Sequence, residues 1–457
     1  VSDNVDFHPT DILEDADGSL LVIDTGGWYK LCCPTSQLHK PDVLGMIYRV
    51  RKKGAARPGD PRGLGINWKA PAGKLTVHLD DERPAVRERA RGELARRGGG
   101  GIADLKQTLT LSQSVRARRN AAWSLSRIDS REAREAVRDG LGDAHRSVRQ
   151  AAAHIAGAWR DKGAREGLEK LLRDESLQVR RSAAEALGRL KDPAAVEKLL
   201  AASNEVLDRA LEHSIVYALI EIAQPGLTRK GLTANSAGAQ RAALISLDQM
   251  DGGGLKPATV IASMQAGDHA TRETARWILS QHPEWNKDLA EALRLRVEKN
   301  LGNPGELKSL LSQVGGHPAL RELLDGAIRG GGLTGPSRDV ILAALAENRL
   351  TSPPAAWSTP LARLLDSGDD GLRDKALTAL SNLKLRPEGE LRTELLKISG
   401  DAKLPASKRL EIISSSPGLL SRASLGVFEF VLEQLPPGKP VSLREAAIRA
   451  LSSASLD

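Results

Sequence analysis

Apolar residues along most of the chain recur at the spacing of one helical stripe, and the stripe itself repeats. The segment VRRSAAEALGRL from Val179 aligns with ARRNAAWSLSRI from Ala117, VRQAAAHIAGAW from Val148 and VRERARGELARR from Val86. The anchors 86, 117, 148 and 179 stand 31 residues apart. Four and eight places after them come Ala90 and Leu94, Ala121 and Leu125, Ala152 and Ala156, Ala183 and Leu187. That spacing puts a small residue and a second apolar residue on one helix face. Between anchors lies a shorter apolar-periodic stretch, such as AAVEKLL from Ala194, preceded by the turn residues Asp192 and Pro193. Each unit therefore reads as two helices joined by a Gly, Asp or Pro turn, with Ala letting neighbours approach closely.

The pattern continues with looser spacing. Leu211, Ala239 and Thr271 anchor further copies, with Leu219, Leu247 and Leu279 at the eighth place. Later copies open near Ser337 (with Leu345), Leu372 (Ala376, Leu380) and Leu443 (Ala447, Leu451), and degenerate ones near Asn303 and Ala406. Two polar positions accompany the stripe. Arg follows the anchor at Arg87, Arg118, Arg149, Arg180, Arg272, Arg338, Arg373 and Arg444; five places before the anchor stands Asp81, Asp143 or Asp174, with Ser112 in the fourth regular copy. An acid at a helix start and an Arg one turn inside it are placed to cap free amides and to pair between repeats.

This D-x-x-x-x-V-R-x-x-A-x-x-x-L pattern resembles HEAT repeats, including the short variety found in phycobilin lyases. The resemblance covers about residues 75–457 by repeat period, strongest to about 290. It implies a mainly α fold, an α-α superhelix of stacked helix pairs (a HEAT-like solenoid), with regular repeats over 75–300 and degenerate ones over 301–457. It is nearly silent about function.

The first residues differ. DILED, SLLVID and MIYRV read as short strands, and Asp15-Ala16-Asp17-Gly18 between the first two is a hairpin turn. Two carboxylates before a Gly also raise calcium, but no acid follows at the spacing an EF-hand needs. Residues 1–54 are expected to form the last blade of a β-propeller, with 55–74 as a linker. FHPTD from Phe7, DADGSLLVIDTGGWYKLCCP and KPDVLGMIYRVRK resemble the propeller-to-HEAT junction of planctomycete-type membrane-bound dehydrogenase and haem-binding multidomain proteins. That resemblance implies a chain that is the middle portion of a larger protein, in a bacterial periplasm or cell envelope, with a dehydrogenase-like propeller before it and a c-type cytochrome after it. Haem c requires C-x-x-C-H, whereas the only cysteines are the adjacent Cys32 and Cys33, followed by Pro34. No cofactor is therefore expected in this chain, and haem c would belong to the parent outside it.

The composition narrows the field. The 457 residues hold 2 Cys, and aromatics make up 3%, so a disulfide framework, a multi-cysteine metal protein and an all-β core are disfavoured. No stretch is long and apolar enough to span a bilayer. The formal charge is +8, and its excess is local: residues 81–191 hold 25 basic and 16 acidic side chains, 21 of the basic ones Arg. Beyond the repeat ladder of Arg87, Arg118, Arg149 and Arg180, this segment offers Arg83, Arg89, Arg91, Arg119, Arg131, Arg134 and Arg138 as a possible basic interaction face. Such a face reads first as solvated and salt-bridged, and next as a site for an acidic protein partner or domain. Nucleic acid is less favoured, because Trp123 and Trp159, the aromatics present, fall at positions that suggest packing.

No catalytic or metal constellation stands out. The histidines, His8 and His282 among them, lie outside any H-E-x-x-H or H-x-x-E-H frame, and Gly98–Gly101, Gly252–Gly254 and Gly330–Gly332 lack a P-loop context and read as turns between helices. Cys32 and Cys33 read best as a buried structural pair, with a strained vicinal disulfide or an upstream partner as alternatives. The leading expectation is a non-catalytic scaffold whose concave face holds a protein or a neighbouring domain. The alternatives are the spacer of a propeller dehydrogenase and cytochrome electron-transfer enzyme, or a HEAT-like nucleic-acid binder.

Overall fold

The computed structural model describes residues 7–26, 44–54, 56, 59–204 and 208–299, and beyond these 305, 307, 308, 311, 339–344, 358–365, 369–383, 387–416, 418–420, 425–452 and 454. Cys32, Cys33, Gly330–Gly332 and the repeat copies expected near Asn303 and Ser337 lie outside the described residues. Two compact units are present, Val1–Gly254 and Leu255–Asp457.

The first unit opens with a three-stranded antiparallel sheet in the order β1 (Pro9–Glu14), β2 (Leu20–Asp24), β3 (Met46–Val50). Gly18, at φ +76°, lets the chain turn back through Asp15–Ser19, where the Asp15 amide donates to the Ser19 carbonyl at 2.8 Å and the Gly18 amide to the Asp15 carbonyl at 2.9 Å. The register pairs Ile12 with Val22 and Val22 with Tyr48. Asp15 and Asp17, weighed above as calcium ligands, are instead engaged by guanidinium groups: Asp15 by Arg49 and Arg62, each at 2.6 Å, and Asp17 by Arg51 at 3.0 Å. The Ser19 hydroxyl and amide, with Arg51 and Arg49, hold the Asp17 carboxyl down to about 2. The sheet leaves much apolar surface bare, with Ile12 61% and Ile47 64% exposed.

Residues 59–74, expected as part of a linker, are folded onto the first repeat. Trp68 is buried and its indole N–H donates to the Gly63 carbonyl at 2.7 Å. Gly63 has φ +64°, and a Cβ there would meet Val86 at 3.0 Å, so the turn closes directly on the first anchor. The short helix α1 (Ala72–Leu75) then buries Leu75.

The repeats follow as pairs. The anchor helices are α2 (Pro84–Arg96), α4 (Val115–Leu125), α6 (Arg146–Ala158), α8 (Leu177–Leu190), α10 (Arg209–Ile222) and α12 (Ala237–Gln249). Between them run α3 (Gly99–Leu111), α5 (Arg131–Asp139), α7 (Arg165–Leu171), α9 (Val196–Ala202) and the single turn α11 (Pro225–Thr228). Val86, Ala90, Leu94, Ala121, Leu125, Val148, Ala152, Val179, Ala183 and Leu187 are fully buried in one continuous core. Small residues set the spacing: a Cβ on Gly157 or Gly188 would lie 2.8 Å from the Cα of Ala186 or Ala218 on the next anchor helix.

The second unit repeats the helix-pair theme in α13 (Pro257–Ser263), α14 (His269–Gln281), α15 (Asn286–Glu298), α16 (Ser358–Leu365), α17 (Asp370–Leu383), α18 (Gly389–Gly400), α19 (Ala406–Ser415), α20 (Leu425–Leu432) and α21 (Val441–Ser452). Thr271 and Leu279 are buried, as are Leu372, Ala376 and Leu380 and, in the last copy, Ala447.

Candidate interaction face of the anchor helices

The Asp and Arg of the repeat build a ladder through the loops that enter the anchor helices. Arg149 donates to the Asp143 and Ala144 carbonyls, both at 2.9 Å, and forks onto the next repeat's Asp174 carboxylate at 2.7 and 2.9 Å. Arg118 does the same with Ser112 O, Gln113 O and the Asp143 carboxylate. Arg87 grips the Asp81 and Glu82 carbonyls, and Ser112 offers it no carboxylate in the following repeat; Arg180 reaches the Asp174 carbonyl. Asp81, Asp143 and Asp174 each accept the amide two residues on, from Arg83, His145 and Ser176. They thus fix the turn before the helix rather than occupy the N-cap itself, where Arg83, His145 and Ser176 stand. The Arg149 and Asp174 side chains are 11% and 6% exposed, so the ladder is internal wiring and offers little to a partner.

Of the seven further arginines, Arg91 and Arg119 line a common cavity, and the others are engaged elsewhere. Arg131, Arg134 and Arg138 lie on α5, the short-helix layer, where Arg131 pairs with Glu135, Arg134 lies 5.2 Å over the Trp159 ring and Arg138 forks onto Asp161. Arg83 forks onto Asp81, and Arg89 lies 4.7 Å over the Trp68 ring. Arg91 is held by Glu88, while its Nε is buried without an acceptor. Burial, with Arg127, Arg87 and Arg119 around it, pushes the Arg91 guanidinium below its usual range. Arg119 has no ion pair or hydrogen bond among the described residues.

A different set of residues shares a face. On each anchor helix the second and sixth places after the anchor fall outside the fully buried stripe: Glu88 and Gly92, Arg119 and Trp123, Gln150 and His154, Arg181 and Glu185, His213 and Tyr217, Arg241 and Ile245. The rungs touch one another in places. The Trp123 and His154 rings are 5.7 Å apart across α4 and α6, Arg127 pairs with Glu88 at 3.0 Å, and Arg241 with Glu212 at 3.0 Å. His213 stacks on Tyr217, which is 51% exposed. Trp123 is partly buried against the core and still contributes to the surface, which the reading of it as packing alone missed. His154, His213, Tyr217 and Arg181 went unnoticed because their shared face depends on counting from the anchor, not on any local motif.

The stripe begins at a cavity of about 470 Å³ between the β1–β2 turn and helices α2 and α4, lined in part by Asp15, Arg87, Glu88, Arg91, Arg116 and Arg119. Among the described residues no cluster of His, Cys, Asp and Glu is arranged to hold a metal ion, and no helix is long and apolar enough to cross a membrane.

Comparison with known proteins agrees with the repeat geometry. The HEAT-repeat family model matches residues 73–154 and 135–220. No curated protein matches the chain. Among solved structures, a crystal form of importin β is 12% identical with a TM-score of 0.43, covering 84% of this chain and 60% of that one. Yeast importin-β (Kap95p) is 13% identical with a TM-score of 0.35 over 83% of this chain and 60% of its own. The chain thus spans about three fifths of the length of these importins. The buried ladder, the paired helices and the family match point the same way: residues 73–220 are built as HEAT repeats.

Proposed function

We propose that the chain is a non-catalytic scaffold, presenting the solvent-facing stripe of its anchor helices, as the concave face of the array, to a protein partner or a neighbouring domain. The observation behind this reading is the contrast between two sets of arginines. The ladder is satisfied internally, whereas Arg119, Arg181 and Arg189 on the stripe have no ion pair or hydrogen bond among the described residues, beside exposed aromatic rings. Unpaired guanidinium groups beside aromatics are the residue types that anchor protein interfaces. A photo-cross-linking residue placed at Gln150 on the stripe, with one at exposed Lys170 on α7 as control, tests it in the cells that make the protein. Capture of a partner or domain at 150 and not at 170 is expected; equal capture, or none at 150, removes the reading.

A second reading has its own observation, the bare apolar sheet. Ile12, Leu13, Met46, Ile47 and Val50 are all more than half exposed, as they would be if further strands covered them in the parent. This fits the spacer of a propeller dehydrogenase that passes electrons to a c-type cytochrome, located in the periplasm or cell envelope. Haem c content of the protein purified from its natural source tests it, and a haem-free product from an intact reading frame would withdraw the electron-transfer role.

A further inference from the structure

The spacing and charge of the stripe specify what it holds. Resting on the scaffold reading, we infer that the anchor-helix stripe of the first unit binds an extended, acidic segment of a partner protein, with carboxylates at the Arg119 and Arg181 rungs and apolar side chains against Trp123–His154 and His213–Tyr217.

Packed helices lie about 8–10 Å apart and an extended chain rises about 3.3 Å per residue, so one rung meets about every third residue of such a segment. Arg119 and Arg181 are two rungs apart, which places the preferred carboxylates about six residues from each other. The intervening rung is Gln150 with His154, whose ring lies against Trp123, so an apolar side chain between the two carboxylates meets an aromatic wall. At the far end the His213–Tyr217 pair supplies a second one. At the near end the 470 Å³ cavity adds Arg87, Arg91 and Arg116 to Arg119. Arg87 and Arg116 are tied to backbone and carboxylate groups of residues 80–82 and Arg91 to Glu88, so Arg119 is the cation left to meet an incoming anion there.

The same stripe carries Glu88, Glu185 and Glu221. A nucleic acid, charged at every phosphate, would run over these carboxylates, whereas a peptide can restrict its charges to the arginine rungs. Arg181 and Arg189 flank Glu185 on α8 without forming an ion pair with it, which leaves both cations available.

The test uses the full chain and fluorescein-labelled probes read by anisotropy at low salt. One is a peptide of about twelve residues with two Glu about six positions apart and Leu or Tyr midway between and beyond them, the second is its Gln counterpart, and the third is an oligothymidylate. The Glu peptide is expected to bind at least about tenfold tighter than the Gln peptide, and Arg119→Glu/Arg181→Glu to weaken it by about tenfold or more. The two arginines have no hydrogen bond or ion pair among the described residues to lose, so an unchanged thermal melt shows that the variant stays folded. Equal binding of the Glu and Gln peptides, no binding of either, or an undiminished double variant overturns the inference, as does tight binding of the oligothymidylate alone. If Gln150 captures a partner while the Glu peptide fails to bind, only the acidic-segment inference falls; if neither occurs, the scaffold reading falls with it.

Discussion

The anchor arginine is used in two ways along the chain. In the first unit Arg118 and Arg149 are clamped on both sides, to the carbonyls of their own entry loop and to the carboxylate of the next repeat. In the second, Arg272 keeps the first half of that arrangement, donating to the Ala266 and Gly267 carbonyls at 2.7 and 2.9 Å, and the described residues give it no carboxylate. Asp268 meanwhile caps its own helix through the Thr271 amide. The loop clamp is thus the common element of the repeat, and the link to the neighbour is an addition that needs Asp five places before the next anchor. This difference also separates a segment with strict 31-residue spacing from one without it. A bidentate pair fixes the offset between successive helices, while a clamp within one loop leaves that offset free.

The largest test of this contrast removes the guanidinium in each setting. Arg149→Ala leaves Asp174, 6% exposed, without its cation, and losing one partner of a buried pair costs about 3–5 kcal/mol. Arg272→Ala gives up hydrogen bonds to two carbonyls and strands no carboxylate, so about 1–2 kcal/mol is expected. Urea unfolding of the full chain reads both. Equal costs would mean that the inter-repeat pair adds nothing to the loop clamp.

A smaller effect is expected from glycine. Gly157→Ala puts a methyl 2.8 Å from the Cα of Ala186, where backbone must move, and overpacking of this kind costs about 1–3 kcal/mol. At Gly400, the last residue of α18, the nearest atom to a new Cβ is Val427 Cγ2 at 3.9 Å. Gly400→Ala should therefore stabilise by about 0.4–1 kcal/mol through the unfolded chain. Thermal melts that move the same way for both would show that close approach does not distinguish the regular repeats.

Much of this was legible in the sequence, for physical reasons that can be named. Val86, Ala121, Val148 and Leu187 announced themselves because a stacked core must repeat its apolar stripe, and the hairpin did because Gly18 can adopt the backbone the turn needs. The docking of 59–74 was hidden: Trp68 is a lone aromatic whose partners, Gly63 and Arg89, are fixed by tertiary contact and not by period. The interaction face was half legible. Charge counting found the arginines of 81–191 but could not sort Arg138, locked onto Asp161, from Arg119, which has no ion pair or hydrogen bond among the described residues. That distinction exists only once the helices are stacked, as does the phase that brings Trp123, His154 and Tyr217 to one side.

The smallest expected effect concerns pH and again separates the doubly clamped repeats from the rest. Burial alone would raise the Asp174 carboxyl, but the Arg149 guanidinium, the Ser176 amide and the charge of Arg180 outweigh it and hold the carboxyl below its usual range. A carboxyl depressed in the folded state contributes stability above its unfolded pKa, about 3.9, and that contribution is lost as pH falls through the folded value. Wild-type protein should therefore lose stability on acidification from about pH 4 downward, and Asp174→Asn should lose less over the same interval because it has no such proton to take up. The variant starts lower at pH 7, since it keeps Arg149 beside a neutral amide, and the two unfolding curves should converge as the pH drops. Curves that stay parallel from pH 7 to pH 3 would mean that the carboxylate of Asp174 is no better stabilised in the folded repeat than in the unfolded chain. The ladder would then be a matter of shape and not of charge.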